Sequence, residues 1–290
     1  MRVTQMMLSQ SSLRHINQGY DRLATIQDQL ASGKKITRAS QDPVVAMKGM
    51  RYRSQVTEVE QFKRNLAEAY NWMDTTDSAL DQGTQALARI RELATQAAND
   101  SYTPEERANM AKEVAQLREH LESIANSKNS NKYIFNGMNT TTAPVQDGEV
   151  TTNNQPVEIE LMKGVSVQVN VNAGNVFTNE LFDDIKALEA SLQDENASGE
   201  ELSGFIDTLF GHINNFVAER AELGARVNRV EMMENRLMEQ EVIAKRIMSN
   251  NEDAEMEEVI IDLMTQESVH RAALSAGARI IQPTLMDFLR

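Results

Sequence analysis

The sequence predicts a mainly α-helical protein: a long antiparallel helical hairpin and coiled-coil bundle formed by both chain ends, with a small β-rich insert. Three observations point there. The 290 residues include only 13 glycines and 5 prolines, and aromatics make up 5%, which is poor in turn formers and rings for an ordinary globular enzyme. Residues 59–97 carry an unbroken seam of apolar or small side chains at alternate steps of three and four. Both chain ends repeat apolar residues at intervals near seven, as amphipathic helices do.

The first element is an N-terminal assembly helix within residues 1–42. Met6, Leu13 and Tyr20, and beside them Ser9, Ile16, Leu23 and Leu30, recur at sevens. Ser32-Gly33-Lys34-Lys35 then reads as a helix stopped by glycine, with lysines at its carbonyl end. A helical hairpin follows over residues 43–130. Asp42 and Pro43 suit an N-cap and first helical position. The seam Val59, Phe62, Leu66, Ala69, Met73, Thr76, Leu80, Gly83, Leu87, Ile90, Ala94 and Ala97 carries this helix on to a stop at Asn99-Asp100-Ser101, so that from Pro43 it reaches about 80 Å at 1.5 Å per residue. Thr103-Pro104-Glu105-Glu106 has the form of a capping box, and Met110, Val114, Leu117, Leu121 and Ile124 continue a second helix to about Asn126. Such a helix can fold back on the first.

Residues 131–178 form the β-rich insert, with period-two apolar residues at Val157, Ile159 and Leu161 and again at Val165, Val167, Val169 and Val171. Met162-Lys163-Gly164 between them reads as a tight hairpin turn. Residues 179–250 return to helical spacing, first to about Gln193 and then, past Asp194–Gly199, as a long helix to about Met248. Its seam includes Leu223, Val230, Leu237 and Ala244, with Met233 and Ile247 offset. The C-terminal assembly helix, residues 251–290, carries Ile260, Leu263, Leu274, Ile281, Leu285 and Phe288. These six, with Met6, Leu13, Ile16, Tyr20, Leu23 and Leu30, are the expected assembly interface. The terminal helices are expected to pair with each other or with copies of themselves.

Charge supports that pairing. The chain has 29 Lys/Arg against 43 Asp/Glu, a formal net charge of −14. Residues 1–70 nevertheless hold 11 basic against 6 acidic side chains, whereas residues 231–267 hold 11 acidic against 3 basic. Complementary ends favour each other over self-pairing. The basic residues stand singly and form no run suited to a phosphate backbone, so nucleic acid is not an expected partner.

Conventional catalytic signatures are missing. With no cysteine, disulfides, thiolate metal sites and cysteine nucleophiles are excluded. His15, His120, His212 and His270 lie in separate helical segments without metal-ligand spacing and read as helix-surface or seam residues. Ser32 and Lys35 match an S-x-x-K pattern whose companion motifs do not occur. No phosphate-binding glycine motif is present. Glu252, Asp253, Glu255, Glu257 and Glu258 lack the spacing of a calcium loop and read as a solvated helix face or as the partner of the basic N-terminal segment. The 16 methionines serve as core filler and, on the terminal helices, as adaptable contact residues. No enzyme activity, cofactor or metal is expected. No apolar stretch approaches the ~20 residues of a bilayer span, and the first residues lack a cleavable secretory signal. The chain is therefore expected to stay in the cytosol or to leave by a route without a cleaved signal, and not to insert in a membrane.

The start MRVTQMMLSQSSLRHINQ, the segment LASGKKITRASQDPVVAM (Leu30–Met47) and the ending NNEDAEMEEVIIDLMTQESVHRAALSAGARIIQPTLMDFLR resemble the two ends of bacterial flagellins and their relatives. FKRNLAEAYNWMDTTDSAL (Phe62–Leu80) and NKYIFNGMNTTTAP (Asn131–Pro144) are similar to the family's short hook-associated branch. Gln41-Asp42-Pro43-Val44-Val45-Ala46-Met47 stands where many flagellins carry an alanine-rich segment, which also favours that branch. The resemblance implies a structural protein of the flagellum at the junction of hook and filament, exported through a type III apparatus with an uncleaved signal. It further implies terminal helices that are mobile in the monomer and become a coiled-coil core on assembly. The implied partners are another hook-associated ring protein, flagellin, further copies of this chain in a ring, and a cytosolic export chaperone. A filament flagellin and a cytosolic coiled-coil binding module stand as alternatives.

Overall fold

In a computed structural model the chain is described over residues 5–99, 102–146, 148–151, 153–171, 173–194 and 197–281, with the side chains of 5, 6, 8 and 279–281 outside that description. Seven helices and six short strands occur among these residues. They group into two compact units, one made of residues 1–58 and 240–290, the other of residues 59–239.

The second unit is built on the predicted seam. Helix α2 (Pro43–Ala97) supplies it, and Leu66, Ala69, Met73, Thr76, Leu80, Leu87, Ile90, Ala94 and Ala97 are all buried. Helix α3 (Pro104–Ala125) starts at the expected capping box. The Glu106 backbone N–H donates to the Thr103 hydroxyl, while the Glu106 carboxylate accepts from the Thr103 backbone N–H. Arg89 of α2 pairs with Glu113 of α3 at 2.8 Å.

The insert is three separate antiparallel pairs. β1 (Lys128–Asn129) pairs with β2 (Lys132–Tyr133) through Ser130 and Asn131, both at positive φ, the backbone of a tight two-residue hairpin. β3 (Val145–Gln146) pairs with β4 (Glu149–Val150). β5 (Glu158–Met162) pairs with β6 (Val165–Gln168) around Gly164, at φ +74°, the turn that the sequence predicts. A single-turn helix, α4 (Ala173–Val176), leads into α5 (Asn179–Gln193). Its N-cap Thr178 accepts from the Leu181 N–H at 3.0 Å. α5 packs on α3.

The last long helix, α6 (Gly199–Glu252), runs antiparallel to α2 in this unit: Tyr70 reaches Glu234, Arg220 reaches Asp77 and Asp81, and Arg91 lies over the Phe210 ring. Its buried face repeats strictly at sevens, from Leu202 through Leu209, Phe216, Leu223 and Val230 to Leu237, the period of a coiled-coil seam. The insert is tied to this bundle by rings. Phe135 meets Phe177 edge-on at 4.9 Å, and Phe177 meets Phe216 likewise at 5.2 Å. His212 and Asp184, 2.7 Å apart, join α6 to α5.

Helix α1 (Gln5–Ser32) and helix α7 (Met256–Ile281) belong to the first unit. They pack against each other, as the charge and apolar patterns predict. One expectation needs correction. The long return helix, expected to reach about Met248, runs on to Glu252, and a short break at residues 253–255 precedes α7 in place of a new helix at 251.

Candidate assembly interface

α1 and α7 meet along a close seam. Ile16 lies 3.2 Å from the position a Cβ would take at Gly277, and the His270 ring lies 2.9 Å from the corresponding position at Gly19. Glycine at both places lets the two helices approach. His270 is buried and stands edge-on to Tyr20, with ring centroids 4.2 Å apart, so this histidine is a seam residue. Among the described residues neither of its ring nitrogens has a hydrogen-bond partner.

The expected interface residues divide by exposure. Ile16, Leu23, Leu30 and Leu263 are half-buried. Leu13, Tyr20, Ile260 and Leu274 remain exposed even though α1 and α7 are paired, and Met7, Ile261, Met264 and Val269 add to the exposed apolar surface. Met6 and Ile281 lie in α1 and α7 with side chains outside the described set; Leu285 and Phe288 lie outside the described residues. Pairing α1 with α7 thus covers only part of the apolar surface of each helix.

The base of the pair is held by a polar clasp that the sequence shows only in outline. Gly33, at φ +68°, ends α1 with its N–H on the Gln29 carbonyl, as read from the glycine. The chain then pairs with the end of α6. Lys35 N–H donates to the Glu252 carbonyl at 2.7 Å, and Ala254 N–H donates to the Gly33 carbonyl at 2.9 Å. Lys34 Nζ reaches Asp253 at 2.6 Å and Glu252 at 3.5 Å, while Lys35 Nζ donates to the Asn250 carbonyl at 2.8 Å.

Arg53 binds Glu252 with two parallel bonds of 2.7 Å. Such a planar fork is the strong form of an ion pair. Glu252 is only 5% exposed, and Gly49 makes its room, since a Cβ there would sit 2.8 Å from Oε1. The Arg53 hydrogen bond, above all, holds the Glu252 carboxyl below the usual range against the opposing effect of burial. The Lys34 hydrogen bond, then that of Ser249, does the same for Asp253. Asp42 caps α2 by accepting from the Val44 and Val45 N–H groups at 2.9 and 3.0 Å. Of the acidic cluster, Glu252 and Asp253 are the partners of the basic segment, whereas Glu255, Glu257 and Glu258 are exposed.

A direct check on the pairing uses the chain's lack of native cysteine. Ile16→Cys combined with Gly277→Cys is expected to join in high yield under a short bifunctional reagent, and Ile16→Cys with Met256→Cys is not. Equal yields from the two combinations would contradict the α1–α7 register.

Among the described residues no group of three or more histidine or acidic side chains could hold a metal ion, and no helix is long and apolar enough to cross a membrane. In this helical protein α1 and α7 pair and still present exposed apolar residues, surface of the kind that marks association sites. The profile of the bacterial flagellin N-terminal helical region matches residues 3–140. Flagellin FlaB1 of Treponema pallidum is 30% identical over 207 residues, covering 70% of this chain and 69% of that protein. Flagellar hook-associated protein 3 of Escherichia coli strain K12 is 23% identical over 303 aligned positions, 95% of this chain and 96% of its own length. The crystal structure of flagellar hook-associated protein 3 from Legionella pneumophila shares the fold, with a TM-score of 0.64 at 15% identity, over 69% of this chain and 98% of that one. The chain belongs to the bacterial flagellin family.

Proposed function

We propose that this chain is a structural protein of the bacterial flagellum that forms the junction between hook and filament. The observation that carries the reading is the end-to-end alignment with a hook-associated protein 3 over 95% of this chain and 96% of that one. On this reading the protein works by contact and performs no catalysis. Its terminal helices join the neighbouring subunits, and their exposed stripes are the surfaces that assembly covers. Burying apolar area at about 25 cal/mol per Å² over many subunits makes such a joint durable, and coupling it to ordering of the terminal helices discourages premature polymerisation. Its partners are then another hook-associated ring protein, flagellin, further copies of itself in a ring, and a cytosolic chaperone before export. Export proceeds through the flagellar type III apparatus without a cleaved signal peptide.

A second reading, a filament flagellin, is favoured by the 30% identity to the Treponema flagellin. Deleting the gene separates the two. Hooks without filaments, with a distinct flagellin released into the medium, are expected for a junction protein. Hooks without filaments and no other flagellin in cells or medium would make this chain the filament subunit, and unchanged flagella would overturn both readings. Supplying the deletion strain with forms lacking residues 1–35 or 260–290 is expected to give a soluble, folded protein that does not enter flagella.

A further inference from the structure

In the second unit, α2 and α6 flank an open groove of about 890 Å³. Its floor is apolar and low. Met73 and Leu223 are buried beneath it, and beyond Gly224's chain neighbours and its own helix backbone nothing lies within 4 Å of where a Cβ would stand. Its rim is acidic. Arg220 binds both Asp77 and Asp81, while Asp74 has no cationic partner among the described residues. The negative edge continues past Asp74. The Tyr70 hydroxyl donates to Glu234 at 3.0 Å, and its pKa is pushed up to about 12, by burial first and then by Glu234, Glu231 and Asp74.

Such a groove suits a helix turn that carries slim apolar side chains followed by cations. The described residues hold one. Val44, Met47, Lys48 and Arg51 fall at i, i+3, i+4 and i+7 of α2, a single helix stripe, and all four are exposed, Met47 at 61%. Neither Lys48 nor Arg51 has a carboxylate partner among the described residues. Methionine adapts to an irregular floor without branching, and the two cations match a rim whose three aspartates are met by a single arginine.

We propose that the stripe of Val44, Met47, Lys48 and Arg51 of one copy docks in the groove bounded by Asp74, Asp77 and Gly224 of a second copy. The two surfaces are unlike, so the contact is heterologous. It leaves a free stripe and a free groove at each step and closes as a ring where the rotation permits. The inference rests on the reading that copies of this chain assemble side by side in the flagellum.

The test uses two tagged forms expressed together in the cells that make the protein, one with Met47→Cys and one with Ser78→Cys, beside a tagged form with no substitution. Ser78 is exposed and lines the groove. Oxidation of isolated flagella is expected to give a dimer carrying both tags. Arg51→Glu is expected to lower incorporation about tenfold, the effect of about 1.4 kcal/mol, and Asp74→Lys in the same chain to restore it. The unsubstituted form present in flagella, with no mixed dimer and with Arg51→Glu entering normally, would overturn this contact alone. Absence of the unsubstituted form from flagella would overturn the assembly reading and the contact with it.

Discussion

Replacing Gly83 with leucine is expected to destabilise the helical core of residues 59–239 by about 3 kcal/mol, the upper end of the usual overpacking cost. Gly83 is a buried member of the α2 seam. A Cβ there would lie 2.5 Å from Cε1 and 3.2 Å from Cδ1 of Phe216. That ring is fully buried and fixed in turn by Phe177 and Phe135, so it cannot swing aside as a flexible side chain would. The sign at alanine is the sharper test. Helix propensity alone makes Gly→Ala favourable by about 1 kcal/mol, whereas the contact with Phe216 predicts a net loss. Urea unfolding followed by the fluorescence of Trp72, the only tryptophan and itself buried, measures both variants. Adding Phe216→Leu should recover much of the loss in Gly83→Ala; a Gly83→Ala protein more stable than the parent would refute the argument.

Gly83 also marks how far a sequence reading reaches. Its place in the seam was legible from the three-and-four spacing, because that spacing persists from Val59 to Ala97 and admits one helix phase. Its necessity as glycine was not, because the reason is a ring more than a hundred positions further on. The capping box at Thr103 and Glu106, the turn at Gly164 and the helix from Asn179 to Gln193 were legible for the same reason as the seam: each is decided by residues a few positions apart. The exact position of the break at Asp253–Glu255, a few residues beyond the expected one, was not. Asn250-Asn251-Glu252-Asp253-Ala254-Glu255 contains neither glycine nor proline, and the helix yields there to distant backbone partners at Gly33 and Lys35. The terminal helices show a related limit. A seven-residue repeat identifies an apolar face, but it does not say which of its members turn toward the pairing helix, as Ile16 does toward Gly277, and which remain exposed, as Leu13 does.

Glu252→Gln is expected to loosen the clasp at the base of the α1–α7 pair by about 2 kcal/mol near neutral pH, the range of a hydrogen bond to a charged group. The substitution keeps the shape that Gly49 accommodates and removes the charge that Arg53 and Lys34 share. The pH dependence fixes the mechanism. Glu252 and Asp253 have folded-state pKa values lowered from their ordinary ones. Their contribution is therefore fully present above the unfolded-state values of about 4.3 and 3.9, and it is lost as pH falls through the lower folded-state values. The parent should accordingly lose clasp protection below about pH 4, while the Gln variant, already lacking one of the two carboxylates, changes less over the same interval. Hydrogen exchange at the amides of Lys35 and Ala254, whose bonds close the clasp, reads this locally. A parent-to-variant difference that stays constant from pH 7 to pH 3 would mean that Glu252 acts through packing and not through its charge. A difference that narrows with acid would identify the Glu252 charge, held by Arg53 of α2 and by Lys34 just past α1, as what reinforces the backbone bonds between the end of α1 and the end of α6.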